Sequence, residues 1–165
     1  MENRRVAQGE NMAHTYTAET IWERGEQIFS DDRYSRKHTL RFDGGISIAG
    51  SSSPLVVPVP YSEPNAVDPE ESLVSSISSC HMLWFLSVAA KKGFIVDTYH
   101  DSAVGIMKPN ERKKYWVSSV TLQPKVIFSG PKIPSAADIE EMHHEAHEEC
   151  FIANSVKTDI QVRPQ

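Results

Sequence analysis

The sequence predicts an α+β fold, and three observations carry that reading. Asp68-Pro69-Glu70-Glu71 has the form of a helix start, with a capping aspartate, a proline at the first helical position and a glutamate three residues after the cap. Ser135 and Asp138 offer a second cap of the same kind. Around these two helices lie alternating, strand-like segments separated by turn residues.

Residues 1–12 are polar and aperiodic and read as a disordered tail, leaving 13–165 as one domain. Thr15–Arg24 and Lys37–Phe42 alternate as strands do, and Asp43-Gly44-Gly45 turns the chain into a third strand over Ile46–Ala49. Pro54, Pro58, Pro60 and Pro64 exclude a helix or central strand from Ser51–Pro64, which reads as an extended connection. The first helix runs from the Asp68 cap to about Lys92, where Lys91-Lys92-Gly93 supplies cations and then a stop. Its second half is apolar on nearly every side, as a buried central helix is. Val96–Met107 and Tyr115–Phe128 read as two long strands joined by the polar turn Lys108–Lys114. Gly130-Pro131 ends the second of them, a helix follows over about Ala136–Ile152, and Thr158–Arg163 reads as a last strand.

Composition excludes some functions. The formal net charge is −5 and no run of Lys or Arg stands out. Nucleic-acid binding needs a basic footprint that this chain does not have. The opening residues lack the apolar run of a signal peptide, and the longest apolar stretch, Met82–Ala90, is too short to span a bilayer. The expectation is a cytoplasmic protein with no membrane partner, in which two cysteines seldom form a structural disulfide.

Those cysteines are Cys80 and Cys150. Cys80 lies mid-helix on a stripe with Leu73, Ile77 and Trp84, and Cys150 lies near the end of the second helix on a stripe with Met142 and Ala146. Both thiols should face inward, and a pairing is geometrically plausible. A thiol in apolar surroundings is inert unless a cation stands beside it. No Lys or Arg lies within a helical turn of Cys80, so the cation must come from elsewhere, and Arg33, Arg36 and Arg41 are candidates. A buried arginine needs a carboxylate in turn, which Glu70 or Glu71 can supply. Glu70 is no direct base for Cys80, because ten helical residues place it about 15 Å away along the axis.

At this point the sequence resembles a known family. Asp68–Cys80 (DPEESLVSSISSC) is similar to the Pro-Glu-Glu…Cys helix of the OsmC/Ohr family of organic hydroperoxide reductases. Ala146–Val162, with Cys150 and Asn154, is similar to that family's second motif, and Leu40–Gly45 (LRFDGG) to the Arg-Phe-acidic-Gly segment of its OsmC branch. The resemblance covers about Tyr16 to Val162. His81 after Cys80, where an apolar or aromatic residue is usual, and the Ser-rich approach to it depart from the pattern.

The resemblance implies antiparallel sheets around two central helices, in an intertwined homodimer. It implies Cys80 as the peroxidatic residue, Cys150 as the resolving one, Arg41 as the site arginine, with Arg36 as second choice, and Glu70 as the residue that orients it. It implies reduction of organic hydroperoxides, and less well of hydrogen peroxide, through a Cys80 sulfenate and a Cys80–Cys150 disulfide that an external dithiol reopens. No metal, haem, flavin or other cofactor is implied.

Three other readings compete. His143, His147 and Cys150 stand at i, i+4 and i+7 and could hold a metal. However, the segment misses the zincin pattern, and histidines on a Glu-rich helix more often form a solvated face. A cysteine hydrolase would need a histidine partner for Cys80, but His81, adjacent on the helix, points elsewhere. A non-catalytic module would use the two cysteines as core filler around a small apolar ligand.

Overall fold

The computed structural model describes residues 13–165; the tail expected over 1–12 lies outside the described residues. The chain divides into two units, one ending at Ala66 and the other spanning Val67–Gln165.

The first unit is an antiparallel meander of β1 (Ala18–Ile21), β2 (His38–Phe42) and β3 (Ser47–Gly50). β1 is shorter than the alternation over Thr15–Arg24 predicts, because pairing with β2 stops at Ile21↔Thr39. The β2–β3 turn needs Gly45, whose φ of +86° lies in the left-handed region that glycine enters without a side-chain clash. Between β1 and β2 a loop closes on Trp22, Phe29 and Tyr34, with the Arg36 guanidinium 4.0 Å over the Tyr34 ring. The proline-rich connection is irregular, as expected, and the Ser51 hydroxyl accepts from the Glu63 N–H at 2.9 Å. None of the large apolar side chains described in this unit is buried; Leu55 is 97 % and Tyr16 83 % exposed.

The second unit holds the core. α1 spans Pro69–Lys91 and opens on the predicted box: the Asp68 carboxylate accepts from Glu71 N–H, and the Glu71 carboxylate accepts from Asp68 N–H. By length and composition α1 could cross a membrane. Here its stripe Ile77, His81, Phe85, Val88 is buried against its own fold, which makes it a core helix.

The two long strands of the sequence reading are in fact four. β4 (Ile95–Asp101) pairs antiparallel with β7 (Pro124–Ser129), while β5 (Val104–Pro109) pairs antiparallel with β6 (Tyr115–Leu122) in a different sheet. Together they form one long hairpin, closed by the Asn110–Lys114 turn and broken at Ser102-Ala103 and Gln123. The Asp101 carboxylate makes the break, accepting from Gln123 N–H at 2.6 Å and from the Ser78 hydroxyl at 2.5 Å. Pro124, which cannot donate to a ladder, stands where β7 begins.

α2 (Ala136–Glu149) starts on the predicted Ser135–Asp138 box but ends three residues before Ile152. Cys150 caps it in an extended conformation, a short 3-10 turn follows at Ala153–Ser155, and β8 (Asp159–Val162) joins β6 in parallel. One core cluster gathers Phe85, Val88, Ala89, Phe94, Met142 and Ala146 between α1, α2 and the β4–β7 sheet. A second gathers Ile77, Val120 and Leu122, with Ile160 and Val162 of β8 against it.

Candidate active site

α1 and α2 pack against each other and bring the two predicted cysteines together. Both are free thiols; Cys80 is half-buried and Cys150 is 1 % exposed. The Cys150 thiol is pushed up to about 11, first by burial and then by its hydrogen bond with the Cys80 thiol. The Ala153 N–H, which donates to Cys150 Sγ at 3.4 Å, pulls the other way. Cys150 is therefore a protonated thiol near neutral pH.

Local structure explains how Cys150 reaches this place. Its φ and ψ of −69° and 110° turn the chain off the helix. Asn154 locks the turn: its N–H donates to Cys150 O at 3.0 Å, and its side-chain amide donates to Glu148 O at 2.8 Å and Cys150 O at 3.1 Å. These bonds satisfy carbonyls that the helix end leaves open. Phe151 then packs edge-on against Trp84, one turn beyond Cys80, at 5.5 Å between ring centres.

Arg41 and Glu70 are placed differently. Arg41 lies on β2 in the first unit, exposed, with its guanidinium 2.9 Å from Glu19 across the β1–β2 pair. Arg36 is more committed: it pairs with Asp32 at 2.6 Å and donates to the Asp32 and Tyr34 carbonyls. Glu70 is half-buried in the first turn of α1, near the helix start and ten residues from Cys80. Glu71, the alternative carboxylate, is engaged in the capping box.

The metal alternative is not supported. Among the described residues no three His, Cys, Asp or Glu side chains converge as a ligand set. His143 instead turns inward, 3 % exposed, to meet His81.

That inward turn exposes what the sequence reading missed. His143 is 3 % and His81 1 % exposed, and their rings meet at 3.0 Å, Nε2 of His81 to Nδ1 of His143, lying 7° from parallel. Burial is the main reason both are held down to about 4. For His81 the neighbouring His147 adds to this and Asp101 opposes it; for His143 the second cause is His81. A usable signal was present: His81 falls on the Ile77–Phe85–Val88 stripe and His143 between Ile139 and Ala146.

Two cavities border this region. One, of about 650 Å³, is lined by Ser75, Ser78, Ser79, Met82, Tyr99 and Asp101 among others, and one of about 550 Å³ by His143, His147, Ile160 and Val162 among others. Neither is lined by a cysteine.

A family model of OsmC-like proteins matches residues 62–165. Among solved structures, an OsmC-like protein of unknown function from Vibrio cholerae is 49 % identical with a TM-score of 0.91, covering 93 % of this chain and 100 % of its own. An OsmC-like protein from Mycoplasma pneumoniae is 16 % identical, at a TM-score of 0.69 over 93 % of this chain and 98 % of its own. An organic hydroperoxide resistance protein from Bacillus subtilis is 14 % identical, at 0.66 over 92 % and 98 %. The last two show likeness of fold. No curated protein matches the chain. With the family model matched over well over half of its length and the Vibrio protein matched over nearly all of it, the chain belongs to the OsmC-like family.

Proposed function

We propose that the protein is a thiol-dependent peroxidase acting on organic hydroperoxides and, less well, on hydrogen peroxide. The observation that carries this reading is the meeting of two free thiols from separate helices, one half-exposed and one buried and protonated. The Cys80 thiolate attacks one peroxide oxygen, the O–O bond breaks, and the alkoxide leaves as alcohol after taking a proton, with a sulfenic acid left on Cys80. Cys150 then attacks that sulfur; an S–S bond forms, the S–O bond breaks, and the Cys150 proton leaves with the hydroxyl as water. An external dithiol reopens the disulfide by exchange. The reaction so written uses no cofactor.

Only the thiolate is nucleophilic, so Cys80 needs a cation. Arg41 is assigned that role and Glu70 the role of orienting it; Arg36, held by its own loop, is the weaker candidate. The exposed Tyr16, Ile28 and Leu55 of the first unit and Leu83 of α1 favour a homodimer that covers them. Free thiols suit a reducing cytoplasm.

Stopped-flow consumption of cumene hydroperoxide and hydrogen peroxide tests this, in wild type, Cys80→Ser and Cys150→Ser. Wild type should prefer cumene hydroperoxide, Cys80→Ser should fall to background, and Cys150→Ser should turn over once and leave a sulfenate that dimedone traps. Wild-type consumption no faster than that of a free thiol refutes the proposal.

A further inference from the structure

The His81–His143 pair sits in the apolar cluster, where polar groups are costly. Phe85, which belongs to the cluster with Val88, Ala89, Met142 and Ala146, stacks on His143 at 4.2 Å. Among the described residues four buried side-chain polar atoms lack a partner, and three belong to this one place: His81 Nδ1, His143 Nε2 and the hydroxyl of Tyr99, whose ring neighbours that of His143. Each unsatisfied group weakens the fold, and two apolar side chains of similar volume would remove the cost. The pair is thus poorly explained by stability, and it lies in the same α1–α2 contact as the two thiols.

What the pair does supply is direction. Apolar packing between α1 and α2 is non-directional and tolerates rearrangement. Two flat rings sharing one N–H hold one relative placement: whichever nitrogen of the pair donates, the other accepts, and the outer nitrogens take opposite roles. Burial keeps both rings neutral at pH 7, so the single shared proton is maintained. The charged or titratable groups facing the pair are His147 from α2, and Asp101 and Tyr99 from β4. A further tie between the helices, Lys92 to Glu141 at 3.2 Å and Glu145 at 3.6 Å, joins exposed carboxylates and is screened by water.

The thiols are sensitive to register. A slip of one residue moves a helix about 1.5 Å along its axis and turns it about 100°. A disulfide tolerates Cα separations only between about 4.4 and 6.8 Å. We infer that His81 and His143 are positioning residues for the Cys80–Cys150 pair: their hydrogen bond fixes the register of α1 on α2 at which the two sulfurs meet. The inference rests on the disulfide of the proposed function but not on any peroxide.

Equilibration of the full chain with reduced and oxidised glutathione tests it, since this measures the effective concentration of Cys80 towards Cys150 directly. In His81→Leu/His143→Leu that concentration should fall about tenfold or more, while the thermal midpoint at pH 7.5 equals or exceeds wild type. A merely structural role would lower both together. In His81→Gln/His143→Asn, whose amides occupy the positions of the bonded ring nitrogens, it should return to within about threefold of wild type. If the double-leucine chain does not fold, His143→Leu against His143→Asn makes the same comparison. An unchanged effective concentration in the leucine chain, or no advantage of the amide chain over it, overturns the inference alone. A wild type that forms no Cys80–Cys150 disulfide with oxidised glutathione overturns it together with the peroxidase reading.

Discussion

Lowering the pH from 7.5 to 5 should destabilise the protein through the same two histidines. An unfolded chain binds protons at both imidazoles with ordinary values near 6.5, whereas the folded chain holds each down to about 4, burial being the first cause. Because the folded values are depressed, their contribution is complete above about pH 6.5 and is lost as the pH falls from there towards 4. At pH 5 the unfolded state gains about 2 kcal/mol per ring, or about 4 kcal/mol for the pair, at 1.36 kcal/mol per pH unit. The two rings titrate as one system, and a first proton can be shared across the 3.0 Å bond, which brings the figure nearer 3 kcal/mol. That is a large part of a stability of about 5–15 kcal/mol. It corresponds to a urea midpoint lower by about 1–2 M at an m-value near 2 kcal/mol/M. Urea unfolding followed by tryptophan fluorescence at pH 7.5, 6 and 5 measures it. His81→Leu/His143→Leu, which lacks the pair but keeps the carboxylates, supplies the background slope. If both chains lose the same stability between pH 7.5 and 5, neutral burial of the pair is refuted.

Two further outcomes follow from the geometry. Iodoacetamide should leave Cys150 in Cys80→Ser almost unmodified at pH 8, with the rate of labelling rising steeply towards pH 10, since the thiol is buried and pushed upwards; half-maximal labelling near pH 8.5, read by mass spectrometry, would contradict this. Asp68→Ala removes the acceptor for Glu71 N–H and should cost about 1 kcal/mol, a midpoint about 2–4 °C lower by calorimetry.

How far the sequence could be read depended on where the deciding contact lay. Both helix starts were legible because Asp68–Glu71 and Ser135–Asp138 satisfy N–H groups within four residues of themselves. The end of α2 was not: Phe151 and Ile152 carry no stop signal, and the chain leaves the helix through bonds that Asn154 makes back to Glu148 and Cys150. The division of two long strands into four was hidden for a similar reason. The bend depends on Asp101 reaching Gln123 across the hairpin and Ser78 on α1, contacts that no period in the sequence encodes. The thiols were legible as inward-facing groups and their meeting as a plausible pairing, whereas the histidines of α2 were read as a solvated face. His143 shares its helix with exposed His144 and half-buried His147, and its residue type masked its position on the inner face.

The bent hairpin also bears on how the second unit comes apart. β4 and β7 border the cluster around Phe85, and β5 and β6 the cluster around Val120, yet all four are one continuous excursion of chain pinned at Asp101. Neither cluster can melt without unzipping the ribbon that borders the other. The unit should therefore unfold in one cooperative transition, and amide exchange in β4 and in β6 should report the same opening free energy although they belong to different sheets.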